Sequence, residues 1–196
     1  MINKLNWKEF VDFWKQFYNP RHYLDEKYYF PYILPINRAL RSEDLENLFE
    51  WKNGVPLSKS KKKVLELAIN NLNEINNFRK LKKISEKDIK DFFNFVSKKI
   101  VKSGIVWKIF ILHISRPKEL PMIDKFTFVA VNFLKTGKII NFSKEYQNIE
   151  EYLEFRKFFN KIIEKSRLNY REIDKALMAF GQFLDKPQRF LNESKF

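Results

Sequence analysis

Ser103-Gly-Ile-Val-Trp-Lys108-Ile-Phe-Ile-Leu-His113-Ile-Ser115 is the stretch on which the fold reading turns. From Ile105 to about Ser115 it is apolar except for Lys108 and His113, which reads as a buried central helix. Arg116-Pro-Lys-Glu-Leu-Pro121 follows as a loop with a proline toward each end. Asp124 then opens a second apolar helix, Phe126 to Leu134, closed by Thr136-Gly137.

The flanking sequence repeats this pattern of helix and stop. Asn6-Trp-Lys-Glu9 has the form of a capping box, and Phe10, Phe13, Trp14 and Phe17 recur at helical spacing toward Asn19 and Pro20. Residues 20–36 hold Pro20, Pro31 and Pro35 among tyrosines and Phe30 and read as a loop that wraps a core or offers rings to bases. Helices are expected at 42–51, with Leu45, Leu48 and Phe49 inward, and from Ser58 to about Arg79, after a turn at Asn53-Gly54. Ser85-Glu-Lys-Asp88 caps the next, with Ile89, Phe92, Phe93 and Val96 inward and Lys98, Lys99 and Lys102 at its end near Gly104. Two further helices are expected at 149–167 and 170–184, the second opened by Asn169-Tyr-Arg-Glu172. Ala179-Phe-Gly181-Gln-Phe183 has the composition of close helix packing. With only 4 glycines there is little material for sandwiches, barrels or phosphate loops. The expected fold is all-α, a compact domain of about seven or eight helices over 1–196, as one body or as two lobes meeting at a cleft.

A net charge of +14 asks for a polyanionic partner, although an AT-rich or thermophilic genome inflates lysine and gives the same bias without one. Residues 52–108 carry 15 Lys or Arg against 5 Asp or Glu. Lys59, Lys61, Lys62 and Lys63 crowd the first turns of a helix, where cations oppose the macrodipole, so a phosphate backbone is a reason for them outside the fold. The absence of cysteine excludes disulfides, thiolate metal sites and a Cys nucleophile. Two isolated histidines, His22 and His113, make no metal motif, and no Walker loop, dinucleotide fingerprint or Ser-based elbow is present, so neither metal nor cofactor is expected. No secretory leader or apolar run of membrane-spanning length is visible; the expectation is a cytoplasmic protein that does not engage a membrane.

The segment from 86 to 135 resembles the helix-hairpin-helix DNA glycosylase superfamily, the family of endonuclease III and the 8-oxoguanine glycosylases. The resemblance sets Gly104 at the hairpin glycine, Lys108 at the lysine position and Asp124 at the aspartate reached through Leu120-Pro-Met-Ile. It implies a helical fold and base excision from duplex DNA, with Lys108 and Asp124 as catalytic residues and Gly104 as a phosphate contact. Val106 stands where the hairpin usually has its second glycine, and the apolar Phe128-Val129-Ala130 replaces a basic position that often follows the aspartate.

The chemistry has its own logic. Cleaving an N-glycosidic bond builds positive charge on the sugar, which a fixed carboxylate stabilises. An unprotonated lysine amine can attack C1′ to form a Schiff base, and Lys108 is flanked by Trp107, Ile109 and Phe110, residues able to desolvate it. Each residue also has a plain structural reading. Asp124 can be a helix N-cap, Lys108 can snorkel from an apolar helix, His113 can be a hydrogen-bonded core residue, and Asp174 can be a charged surface position. Two functions follow: a glycosylase/lyase using Lys108 and Asp124, or a non-catalytic nucleic-acid-binding domain. In both, Lys59, Lys61, Lys62, Lys63, Lys98, Lys99 and Lys102 lie on phosphates. A basic face meeting an acidic protein is a third reading.

Overall fold

Short polar side chains set where several helices of this chain begin. A computed structural model describes residues 5–18, 38–53, 56–139 and 148–193, with side chains described through 186. The expected loop at 20–36, His22 and the Gly54 half of the expected turn lie outside the described residues. Among the described residues there are nine α-helices and no strand: α1 (Trp7–Trp14, continued by a 3-10 turn Lys15–Phe17), α2 (Ser42–Asn53), α3 (Lys59–Asn70), α4 (Leu72–Arg79), α5 (Glu86–Lys99), α6 (Ile105–Ser115), α7 (Lys125–Thr136), α8 (Ile149–Ser166) and α9 (Tyr170–Glu193). Reciprocal capping boxes open α5 (Ser85 with Asp88), α7 (Asp124 with Thr127) and α8 (Asn148 with Glu151). Asn169 and Glu172 exchange the same pair of bonds ahead of α9.

Several boundaries differ from the sequence expectation. The helix expected over 58–79 divides at Asn71, whose φ of −112° and ψ of 26° leave the helical region. Its side-chain amide donates to Leu67 O at 2.7 Å, a local bond that competes with the backbone ladder. Ser58 has cap-like backbone angles, but its hydroxyl lies against that of Ser60 instead of capping α3. The first helix ends at Trp14 with a single 3-10 turn, short of Asn19; Phe13 and Phe17 are exposed while Trp7 and Val11 are buried. The last helix passes 184 and Pro187 and reaches Glu193.

The helices form two compact units, α2 to α6 in one and α1, α7, α8 and α9 in the other. In the first, α6 packs on α4 and α5, and residues Ile109 to Ser115 are all buried, as the apolar run requires. Leu45, Leu48, Phe49, Ile75, Ile89 and Val96 complete this core, with Phe78 and Phe92 stacked at 4.0 Å. Two buried arginines, absent from the sequence reading, tie its helix ends. Arg79 Nη1 donates to Ile114 O at 2.7 Å and its Nε to Arg38 O at 3.1 Å, while Arg116 Nη1 donates to Arg79 O at 2.8 Å. Each cation meets carbonyls at a helix C-terminus, where the macrodipole favours it, although burial pulls the Arg79 guanidinium below its ordinary pKa.

In the second unit α9 packs along α7 and α1. Gly181 is the point of closest approach: a Cβ there would lie 2.0 Å from Phe126 O, so only hydrogen fits. Asp174 is not on the surface. It is 3 % exposed and paired with Arg171, whose Nη2 donates to the Tyr18 hydroxyl at 3.0 Å. A charge on a helix that packs on two others is buried when a neighbour one turn away neutralises it.

Candidate nucleic-acid interface

The turn between α5 and α6 is anchored by two aliphatic side chains. Ile100 and Val101 are buried, and both of their amides bond to Val96 O, at 2.9 and 2.8 Å. That anchoring leaves Lys102, Ser103 and Gly104 exposed at the start of α6. Gly104 has φ 84° and ψ 102°, a conformation open to glycine and strained for other residues, and a Cβ there would meet nothing within 4 Å. The glycine is therefore required by backbone conformation and not by space. No side chain caps α6, so its first-turn amides lack a side-chain partner and lie at the positive end of the helix dipole. Val106, in that first turn, is half-buried.

Lysines gather around this opening. Lys98, Lys99 and Lys102 are exposed and have no carboxylate partner among the described residues. Lys61 Nζ lies 5.4 Å from the ring centroid of Trp107, in the first turn of α6, and also donates to Asn53 Oδ1 at the end of α2. Trp107 is held from beneath by Phe49 at 5.2 Å. The contact sets the lysine-rich first turns of α3 beside the opening of α6, two stretches separated by some forty residues of chain. Lys59, Lys62 and Lys63 are exposed on the side of α3 away from buried Ala68, whereas Lys61 is already engaged. The sequence flagged all four lysines alike; it gave no sign that Trp107, Phe49 and Asn53 would hold one of them.

Lys108 is half-buried, and its Nζ lies 5.5 Å from the ring centroid of Phe93 on α5. That ring is not one of the chain neighbours from which desolvation is expected. Residues one apart on a helix face different directions, and Ile109 and Phe110 point into the core. His113 is fully buried, and its Nδ1 donates to Leu120 O at 2.8 Å, the core role expected for it.

Asp124 belongs to the other unit. One carboxylate oxygen, Oδ1, accepts from Phe126 N at 2.8 Å and Thr127 N at 2.9 Å, and Thr127 Oγ1 accepts from Asp124 N at 2.9 Å. Oδ2 has no hydrogen bond to the described residues. The approach to Asp124 is rigidly held: Pro121, Met122 and Ile123 are buried, Tyr152 Oη donates to Pro121 O at 2.9 Å, and Met122 N donates to Tyr170 Oη at 2.5 Å. Complete burial raises the Tyr152 phenol well above its ordinary pKa, keeping it a neutral donor. Neither tyrosine was singled out in the sequence. Lys125 would oppose the dipole of α7, but Asp185 neutralises it at 2.6 Å. Replacing Asp124 by Ala is expected to cost about 1–2 kcal/mol as the loss of a cap. A thermal melt checks this, with a fall of roughly 2–4 °C per kcal/mol for a chain of this size.

No protein-family model matches the chain, and no curated protein or solved structure matches it either. Among the described residues there is no group of three His, Cys, Asp or Glu able to hold a metal, and no helix is long and apolar enough to cross a membrane.

Proposed function

We propose that this chain binds nucleic acid, double-stranded DNA in the first instance, by seating phosphates on the start of α6. The observation that carries the reading is an uncapped helix N-terminus, opened by a positive-φ glycine and flanked by Lys98, Lys99, Lys102 and the head of α3. Uncapped amides and unpaired lysines are the two donors that phosphate contacts use, and neither reads base sequence. The α5–turn–α6 pair takes the part of the hairpin in the helix-hairpin-helix likeness, and a cytoplasmic setting gives it access to its polyanion. Fluorescence anisotropy of a labelled duplex across a salt series tests this. Tight binding at low salt with a steep loss of affinity is expected, and replacing Lys108 or Asp124 should leave it intact. Affinity that is weak at low salt, or indifferent to salt, defeats the reading.

A second reading is base excision with Asp124 as the stabilising carboxylate, and it draws support from Asp124 Oδ2. A carboxylate fixed through one oxygen, with the other unbonded, is the arrangement needed to face a developing oxocarbenium. Borohydride treatment with abasic duplex should then trap a covalent complex that Lys108→Gln abolishes. Absence of trapping in the wild-type chain removes the lyase.

A further inference from the structure

The far end of α6 gathers a second group of cations within the same compact unit. Arg79 Nη1 donates to Ile114 O and Arg116 Nη1 to Arg79 O, which brings the turns after α4 and α6 together. Lys80, Lys82, Lys83 and Lys118 stand exposed on those turns, with Lys87 in the first turn of α5, and none makes an ion pair among the described residues. Arg41, exposed just ahead of α2, lies at this end too, because Leu40 beside it is bonded through both its amide and its carbonyl to Asn76. The fold does not ask for these lysines. Arg79 and Arg116 already take the carbonyls that a cation at a helix C-terminus would answer. With 11 residues in α6, its two ends stand about 16 Å apart.

Between the ends the exposed charge reverses sign. α2 runs from one end to the other, since Asn53 at its close is bonded to Lys61, and it exposes Glu43, Glu46 and Glu50. Glu66 on α3, Glu74 on α4 and Asp91 on α5 extend this acidic belt, and among the described residues no exposed cation stands within it. We propose that this unit holds two nucleic-acid duplexes at once, one across each end of α6. A duplex laid lengthwise would set its phosphates against the belt, whereas one across either end meets lysines. The second end is the weaker, because Ser85 caps α5 there and leaves lysines to bind without open helix amides. Leu81, exposed among them, is a single apolar side chain, too little to anchor the chain on lipid. The inference rests on the nucleic-acid reading and adds bridging to it.

A capture assay tests it: a short duplex fixed on beads, then the full chain, then a labelled second duplex, all at low salt. The second duplex should be retained, and sedimentation with DNA in excess should find two duplexes on each chain. Lys80→Gln, Lys82→Gln, Lys83→Gln and Lys118→Gln together should reduce capture by roughly tenfold or more, while anisotropy of a single limiting duplex changes little. If that variant loses its helical circular dichroism, Lys82→Gln with Lys83→Gln should weaken capture by itself. A wild-type chain that binds one duplex in a salt-dependent way and captures no second overturns the inference and leaves the nucleic-acid reading standing. No duplex binding at all ends both. Capture that survives in the folded variants comes from chains associating with each other and overturns bridging by one unit. So does a wild-type chain that holds phosphatidylserine vesicles through these lysines and takes no second duplex.

Discussion

Gly181→Ala is expected to be the most damaging single methyl that can be added to this protein. The new Cβ would stand 2.0 Å from Phe126 O, 2.5 Å from its carbonyl carbon and 2.9 Å from its Cα. All three are backbone atoms, so no rotamer change relieves the overlap; α7 and α9 must separate. Overpacking of a core commonly costs about 1–3 kcal/mol, and a backbone clash belongs at or above the top of that range. For a chain of this length, about 3 kcal/mol lowers the melting temperature by roughly 6–12 °C. Gly137→Ala is the control. It has φ 72° and open space around the added Cβ, so it bears only left-handed strain, about 1–2 kcal/mol. The Gly181 variant must melt clearly below the Gly137 variant, and equal melting temperatures would show that α7 and α9 do not approach this closely. Phe126 also donates its amide to Asp124, so separating the helices disturbs that cap. Residual folded protein should therefore show a loosened α7 N-terminus in amide exchange.

What the sequence revealed, and what it hid, divides along the range of the interactions involved. Ser85 with Asp88 and Asn169 with Glu172 act across three residues, so the caps could be read directly. The inward face of α5 and the burial of α6 follow from periodicity, and the small residue in Ala179-Phe-Gly181 signalled close packing that the Phe126 contact bears out. Asn71 was hidden because an apolar stripe continues through it while its side chain breaks the ladder. Asp174 was misread because its burial depends on what α9 packs against, and Arg171 one turn away gave the same charge pattern a surface pair would. At the candidate site, Gly104 and the lysines were legible as residues; the pairing of Lys61 with Trp107 joins distant parts of the chain and leaves no local trace. Phe13 and Phe17 carried helical spacing, which signals a helix but not which of its rings a core covers, and both are exposed.

Changing Lys98, Lys99 and Lys102 together to Gln is expected to produce the largest loss of nucleic-acid binding available without disturbing the fold. All three are exposed and make no ion pair among the described residues, so circular dichroism should hold and melting should fall only slightly, as Lys98 and Lys99 leave the last turn of α5. Each lysine on a phosphate releases counterions and contributes close to one unit to the slope of log affinity against log salt. The triple variant should flatten that slope by roughly three units and weaken low-salt binding uniformly across duplex sequences. Changing Lys59, Lys62 and Lys63 should act in the same direction if the head of α3 shares the phosphate track. Lys61→Gln should instead lower stability slightly with little change in slope, because its ammonium is held by Trp107 and Asn53. Should the six exposed lysines prove interchangeable with any six others on the surface, the charge is acting as a diffuse field. A loss concentrated in these two clusters, deepened by the backbone strain of Gly104→Ala, ties affinity to the start of α6.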